Sequence, residues 1–156
     1  MNLSENIGFL LQHLAFTMSR QNDQLLQERL GLSFSRFKIL MVLEQTPHIQ
    51  QRQIADTLGQ TEASISRQIK LMHQDGLLQT VRNPHNRREH LTTLTSKGLR
   101  LVEESMAILN RHHGPMFDSL NRREYEYLLG TLQQMHQGVC QAGKTAACSH
   151  PYLGKY

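Results

Sequence analysis

The segment 60–76 constrains the fold of this chain most, because it carries signals for both the start and the end of one helix. Thr61 is typical of an N-cap, since its side-chain oxygen can accept a hydrogen bond from an unpaired amide of the first turn. Gly76 is typical of the left-handed residue that ends a helix. Between them, apolar residues recur at four- and three-residue steps: Ile65, Ile69 and Met72. This spacing predicts a helix with one buried stripe.

The opposite side of this predicted helix is small, polar and cationic, and it carries no carboxylate. Its residues are Ala63, Ser64, Ser66, Arg67, Lys70 and Gln74. Upstream, residues 51–58 predict a short helix in which Ile54, Ala55 and Leu58 face inward, and Gly59 follows as a turn residue. A short helix, a glycine-containing turn and a capped second helix are typical of a helix-turn-helix, whose second helix enters the major groove of DNA.

Two strand-like runs follow this pattern, at residues 77–81 and 89–94. Between them, the Asn and Pro residues of 82–86 favour a turn, and Arg87 and Arg88 lie at its tip. A hairpin with a cationic tip beside an exposed cationic helix indicates a winged helix-turn-helix. Each piece alone also fits a solvated helix and a surface hairpin, but their order favours DNA binding.

The flanking sequence predicts helices on both sides of this domain. Residues 4–29 form an amphipathic pattern whose apolar stripe is too long to be buried on a small winged domain alone. We therefore predict a mainly α fold with a small β wing, with N- and C-terminal dimerisation helices in residues 1–32 and 99–140. Residues 33–98 form the winged helix-turn-helix, and residues 141–156 a tail of uncertain order.

The run 76–98 reads G-L-L-x-x-x-x-N-P-x-N-R-R-x-x-L-x-x-L-T-x-x-G and resembles the MarR family of bacterial transcription regulators. The residues that fit the wing pattern of that family are Arg87, Arg88, Leu94, Thr95 and Gly98. Two residues depart from it, since Asn86 stands where the family usually has Asp and Thr80 where it often has Arg.

The resemblance implies a homodimer whose two recognition helices enter successive major grooves of a pseudo-palindromic operator, about 34 Å apart. Repression is the commoner mode of action in the family. The resemblance also implies a small aromatic or phenolic effector, bound between the dimerisation helices and the winged domain. The sequence does not identify the residues of that pocket, and His13 and Phe16 on the first helix are only conceivable members of it.

Binding to duplex DNA needs cations that replace condensed counterions and a few side chains that reach base edges. Arg67 is the candidate for reading a guanine edge, and a contact to phosphate alone fits it equally well. Arg87 and Arg88 are expected in or beside the minor groove. The full set of expected DNA-binding residues is Thr61, Ser64, Ser66, Arg67, Gln68, Lys70, Arg82, His85, Asn86, Arg87 and Arg88.

The net charge of the chain and the lack of catalytic, membrane and secretory motifs in its sequence further limit the classes of function that we expect. The formal net charge of +4 is a modest basic excess, which suits a polyanionic partner. We find no nucleophile elbow, phosphate-binding glycine loop or convincing pair of carboxylates, so we expect neither an enzyme nor a cofactor. No run reaches the roughly 18 apolar residues that a membrane helix needs, and no secretory signal is evident. We therefore expect a cytoplasmic protein without membrane contact.

Histidines and cysteines leave two sensing hypotheses open. The residues concerned are His112, His113, His136, Cys140, Cys148 and His150. They lack the tight spacing of a structural zinc site, so we expect no metal. Free, inert thiols are favoured over a redox sensor. The alternatives to an effector-controlled regulator are a redox- or metal-responsive regulator of the same fold, and a helical adaptor that binds protein but not DNA.

Overall fold

Helices dominate the computed structural model, which describes residues 6–82 and 90–142. In this part of the chain the elements are α1 (Ile7–Leu30), α2 (Phe34–Gln45), α3 (Gln51–Leu58), α4 (Glu62–Gln74), β1 (Leu78–Arg82), β2 (His90–Leu94), α5 (Ser96–His113), a 3₁₀ turn (Gly114–Phe117) and α6 (Arg122–Ala142). The expected fold class, mainly α with a small β wing, is confirmed. Among the described helices, none is long and apolar enough to cross a membrane.

Side-chain caps set the starts of the helices. The side chains of Ser33 and Thr95 accept hydrogen bonds from amides in the first turns of α2 and α5. At α6 the cap is reciprocal, because Asn121 Oδ1 accepts from the Glu124 amide at 3.0 Å and Glu124 Oε2 accepts from the Asn121 amide at 2.9 Å. These caps satisfy amides that the helix itself leaves unpaired, so local sequence determines where each helix begins.

The core forms around α2, which is buried on most of its circumference. Its buried residues are Phe37, Ile39, Leu40, Val42 and Leu43. Against them pack Leu26 of α1, Ile54 of α3, Val102 of α5 and the buried stripe of α4. Because α2 contributes more buried residues to this cluster than any other helix, it lies at the centre of the core.

The two strands form an antiparallel hairpin in which Leu78 pairs with Leu94, Thr80 with Thr92 and Arg82 with His90. An isolated bridge joins Ile49 to Thr92, and the amide of His48 donates to the Thr92 carbonyl at 3.2 Å. The chain before α3 is thereby attached to the hairpin.

Much of the apolar surface of α1 and α6 is exposed. The buried residues of α1 are Asn22 and Leu26, whereas its N-terminal half exposes Ile7, Phe9, Leu10, Leu14 and Phe16. On α6 the exposed apolar side chains are Tyr125, Tyr127, Leu128, Leu129, Leu132, Met135 and Val139. The remaining residues of the tail, 143–156, lie outside the described part of the chain.

Candidate DNA-binding surface

The helix-turn-helix consists of α3, a short turn and α4. Gly59 ends α3 at a φ of +62°, in the left-handed region where a side chain would be strained. Thr61 then caps α4, since its Oγ1 accepts from the Ser64 amide at 3.2 Å. The predicted stripe of Ile65, Ile69 and Met72 is buried, so its burial is confirmed. This stripe determines which side of α4 faces solvent.

The solvent-facing side of α4 carries Ala63, Ser66, Arg67, Lys70 and Gln74, all of them exposed. Within the described part of the chain, neither Arg67 nor Lys70 forms an ion pair with a carboxylate. Their charges are therefore available to an external anion. Glu62, exposed in the first turn, is the acidic residue nearest to this face along the helix.

Two expected contact residues, Ser64 and Gln68, are half-buried at the edge of this face. Gln68 Oε1 accepts from Ser35 Oγ of α2 at 2.9 Å, and Gln68 Nε2 donates to Gln60 Oε1 at 3.0 Å. Their polar atoms thus already have partners within the protein. Ser35 and Gln60 are not among the residues expected from the sequence, because no local pattern links side chains as far apart as the 33 residues between Ser35 and Gln68.

The hairpin lies directly after α4 and carries Arg82, which is exposed at the end of β1. The other expected wing contacts, His85, Asn86, Arg87 and Arg88, lie outside the described residues. Arg82 is therefore the wing cation that the structure describes.

A junction between Thr95 and the end of α4 holds the hairpin in place. The Thr95 hydroxyl donates to the carbonyl oxygens of Gly76 and Leu77, which lie 2.7 and 3.1 Å from its Oγ1 atom. The same Oγ1 atom accepts from the Gly98 amide at 3.1 Å. A Cβ atom at Gly98 would overlap the Leu77 carbonyl oxygen. The Thr and Gly of the sequence pattern therefore allow α5 to approach the turn after α4 closely.

A cleft of about 730 Å³ lies between α1 and the start of α2. Its lining includes both candidate pocket residues, His13 and Phe16, together with Arg20, Asp23, Phe34 and Ser35. The Arg20 guanidinium lies 5.9 Å from the centre of the Phe16 ring, and Asp23 Oδ1 accepts from the Phe34 amide at 2.8 Å. The cleft thus combines aromatic surface with an exposed cation.

The described histidines are not arranged as a metal site. His113 Nε2 lies 2.6 Å from Asn22 Oδ1, and the described residues contain no cluster of three or more His, Cys, Asp or Glu side chains that could hold a metal ion. The side chain of Cys140, and the whole of Cys148 and His150, lie outside the described part of the chain.

The fold and the exposed cationic face of α4 beside a two-stranded wing define a winged helix-turn-helix protein of the DNA-binding class. Residues 30–89 match the sequence model of the MarR family. This match assigns the winged helix-turn-helix segment of the chain to the MarR family, a family of non-enzymatic transcription regulators.

Two curated relatives are similar to this chain over most of its length. The uncharacterized HTH-type transcriptional regulator YdgJ of Bacillus subtilis is 25% identical over 109 residues, which cover 70% of this chain and 66% of YdgJ, just under two thirds. The HTH-type transcriptional regulator BilQ of Clostridium symbiosum is 24% identical over 105 residues, which cover 67% of this chain and 73% of BilQ.

Among solved structures, CouR from Rhodococcus jostii RHA1 bound to p-coumaroyl-CoA is similar with a TM-score of 0.72 and 26% identity, covering 86% of this chain and 94% of CouR. CouR bound to a 23-mer DNA duplex is similar with a TM-score of 0.71 and 25% identity, covering 85% and 94% of the two chains.

Proposed function

We propose that this protein binds double-stranded DNA sequence-specifically and represses transcription as a homodimer on a pseudo-palindromic operator. The observation that carries the proposal is the exposed side of α4, on which Arg67 and Lys70 have no carboxylate partner within the described chain. A cationic, otherwise unengaged helix face can neutralise phosphates and reach base edges in the major groove.

Within this surface we assign different roles to different residues. Arg67 reads a base edge or contacts phosphate, while Lys70, Ser66 and Thr61 approach the backbone of the duplex. Arg82 extends the cationic surface into the wing. The sequence-based assignment of His85, Asn86, Arg87 and Arg88 to the wing contact stays a prediction, as does a direct role for Ser64 and Gln68.

The exposed apolar faces of α1 and α6 support a homodimer. Leu14 is 45% exposed and Leu129 44% exposed, and both belong to apolar rows that the described part of the single chain leaves uncovered. Contiguous apolar surface of this kind usually marks an interface. A second copy covers both helices at once under a two-fold axis, and it presents two α4 helices to one face of the duplex.

The cleft between α1 and α2 supports an aromatic effector that carries a negative charge. Phe16 and Phe34 can pack on an aromatic ring, and Arg20 can pair with a carboxylate or phosphate. The structure of CouR with p-coumaroyl-CoA supports this class of ligand. In the dimer, the two α4 helices can lie at different distances from one another. Such an effector alters repression only if it binds one of these separations more tightly than another.

A mobility-shift titration against sheared genomic duplex, at low and high salt, tests DNA binding. We expect a shift at low salt that weakens at high salt, because phosphate neutralisation releases counterions. Sequencing of the retained fragments then identifies the operator. A folded protein that shifts no duplex at low salt contradicts the proposal and favours a helical adaptor.

A further inference from the structure

Three polar side chains beside the inner edge of α4 form a closed cycle of hydrogen bonds, and a fourth, Ser64, bridges two of them; the four are here called the polar ring. Ser35 Oγ donates to Gln68 Oε1 at 2.9 Å, and Gln68 Nε2 donates to Gln60 Oε1 at 3.0 Å. Gln60 Nε2 closes the cycle by donating to Ser35 Oγ at 3.1 Å. Ser64 Oγ completes the ring, since it donates to Gln60 Oε1 and accepts from Gln68 Nε2, both at 3.3 Å.

The polar ring joins three parts of the fold. Ser35 belongs to the first turn of α2, Gln60 to the turn of the helix-turn-helix, and Ser64 and Gln68 to α4. All four side chains are half-buried. Because each group donates to the next, the bonds polarise one another, and removal of one member leaves partly buried polar atoms unpaired.

The polar ring provides directional contacts to α4, which the buried apolar stripe does not provide. Burial of Ile65, Ile69 and Met72 sets which side of α4 faces the core, but apolar contact has no preferred direction and restricts small rolls of the helix about its axis less sharply. Hydrogen bonds are directional. A functional side chain has to be held within roughly 10–20° of its working geometry, so a directional contact beside the exposed face limits the roll of Arg67.

A second link between the same two helices is weaker. Arg36, which follows Ser35 in α2, has its Nη1 atom 3.5 Å from Asp75 Oδ2 at the end of α4. Asp75 is exposed and the contact is long, and surface ion pairs of this kind contribute little. The polar ring is therefore the main polar contact between α2 and α4.

We propose that Ser35, Gln60, Ser64 and Gln68 are positioning residues for operator recognition. They hold the roll of α4 so that its outer face meets the bases in one register, and Gln68 acts from within the protein. This inference rests on the proposed DNA-binding function, but the ring itself can be tested without DNA.

The DNA experiment uses full-length protein and two duplexes: one selected from a random pool by the wild-type protein, and one of scrambled sequence. Fluorescence anisotropy gives the dissociation constant for each. For Ser35→Ala we expect the preference for the selected duplex to fall about fivefold, the equivalent of one net hydrogen bond. Binding to the scrambled duplex and its salt dependence stay unchanged, because no phosphate contact is lost.

Matched variants separate positioning from other roles. Ser35→Thr keeps the hydroxyl and retains the preference, and Gln45→Ala, an exposed glutamine at the other end of α2, has no effect. The double variant Ser35→Ala/Gln68→Ala should lose no more of the preference for the selected duplex than Gln68→Ala alone, because both changes disrupt the same polar ring. An unchanged preference in Ser35→Ala, or effects that multiply in the double variant, overturns the proposal and favours a direct base contact by Gln68.

A second measurement is independent of DNA binding. In ¹⁵N–¹H spectra, the side-chain amide signals of Gln60 and Gln68 should shift in Ser35→Ala and stay in place in Gln45→Ala. If the wild-type protein selects no duplex, the proposed function is wrong, but these spectra still show whether the polar ring forms in solution. Signals that do not move in Ser35→Ala show that no such ring exists in solution.

Discussion

The Nε2 atom of His113, at the end of α5, lies 2.6 Å from the Oδ1 atom of Asn22 on α1. Asn22 is buried, and His113 is half-buried beside His112. Burial, together with the charge of His112, lowers the pKa of His113 from its ordinary value of 6.5. The contact therefore connects the first and fifth helices through a neutral imidazole that donates to an amide oxygen.

This contact predicts a loss of stability in mild acid. The unfolded chain takes up a proton at His113 at higher pH than the folded chain does, so the contribution is complete above pH 6.5 and falls as the pH drops through the lowered pKa. Urea unfolding across this range should show a weaker acid dependence for His113→Gln than for wild type. His13→Gln, at an exposed site on α1, is the control. An identical pH profile for wild type and His113→Gln contradicts the assignment.

Replacement of Gly98 by Ala should destabilise the protein. The new Cβ atom would overlap the Leu77 carbonyl oxygen, which is backbone and cannot rotate away. We expect the free energy of unfolding to fall by about 1–3 kcal/mol, as in other overpacked sites. Gly138→Ala in α6, where a Cβ atom meets nothing within 4 Å, should leave stability equal or slightly higher. Chemical denaturation of both variants checks this, and equal stabilities would show that α5 can move away from Leu77.

At Thr92, by contrast, a substitution in the core should raise the free energy of unfolding. The residue is fully buried, and within the described structure its Oγ1 has no hydrogen-bond partner. Thr92→Val removes the unpaired hydroxyl at nearly constant volume, so the free energy of unfolding should rise by about 1 kcal/mol. Thr92→Ser keeps the hydroxyl, loses a methyl group and should be less stable than wild type. A Val variant less stable than wild type would indicate a hydrogen bond to Oγ1 in solution.

Arg67→Ala should abolish the preference for the operator. Arg67 is exposed on the outer side of α4, and an arginine that pairs with guanine contributes about 1–3 kcal/mol of discrimination. Gel-shift titrations with operator and random duplex measure the ratio directly. Arg111→Ala, an exposed arginine at the end of α5, is the matched control. If affinity falls equally for both duplexes, Arg67 contacts phosphate alone.

A charge on the apolar face of α6 should prevent dimer formation. Leu128 and Leu132 are 37% and 40% exposed in the single chain and lie one helical turn apart. Leu132→Glu would bury a carboxylate in the proposed interface, which is strongly unfavourable. We expect light scattering to give a monomer for Leu132→Glu and a dimer for Gln134→Glu, which lies on the opposite side of the helix. A dimeric Leu132→Glu would place the interface elsewhere.

Local sequence patterns predicted much of the fold, for a physical reason. Caps at Ser33, Thr61 and Thr95 act within one helical turn, and the buried stripe of α4 follows from a repeat of 3.6 residues per turn. The left-handed conformation of Gly59 and Gly76 likewise depends on the residue itself. Each of these features is decided by atoms that are close along the chain, so it can be read before the fold is known.

Local sequence patterns predicted the candidate DNA-binding surface only in part. A helical wheel orders Arg67, Lys70 and Gln68 around α4, but it does not say how far the helix is rolled against its neighbours. The structure turns Arg67 and Lys70 to solvent and Gln68 toward α2. The sequence therefore suggested contact with DNA for all three residues, although Gln68 already has partners within the protein.

By itself, the sequence determined the helices, their caps, the β-hairpin and the cationic side of the recognition helix, because propensity and periodicity act over a few residues. Only the tertiary structure decided that Ser35 bonds to Gln68, that His113 lies against Asn22, and that a cleft opens beside Phe16. These relationships join residues far apart in the chain, and they depend on how helices pack and roll against one another, which no local pattern records.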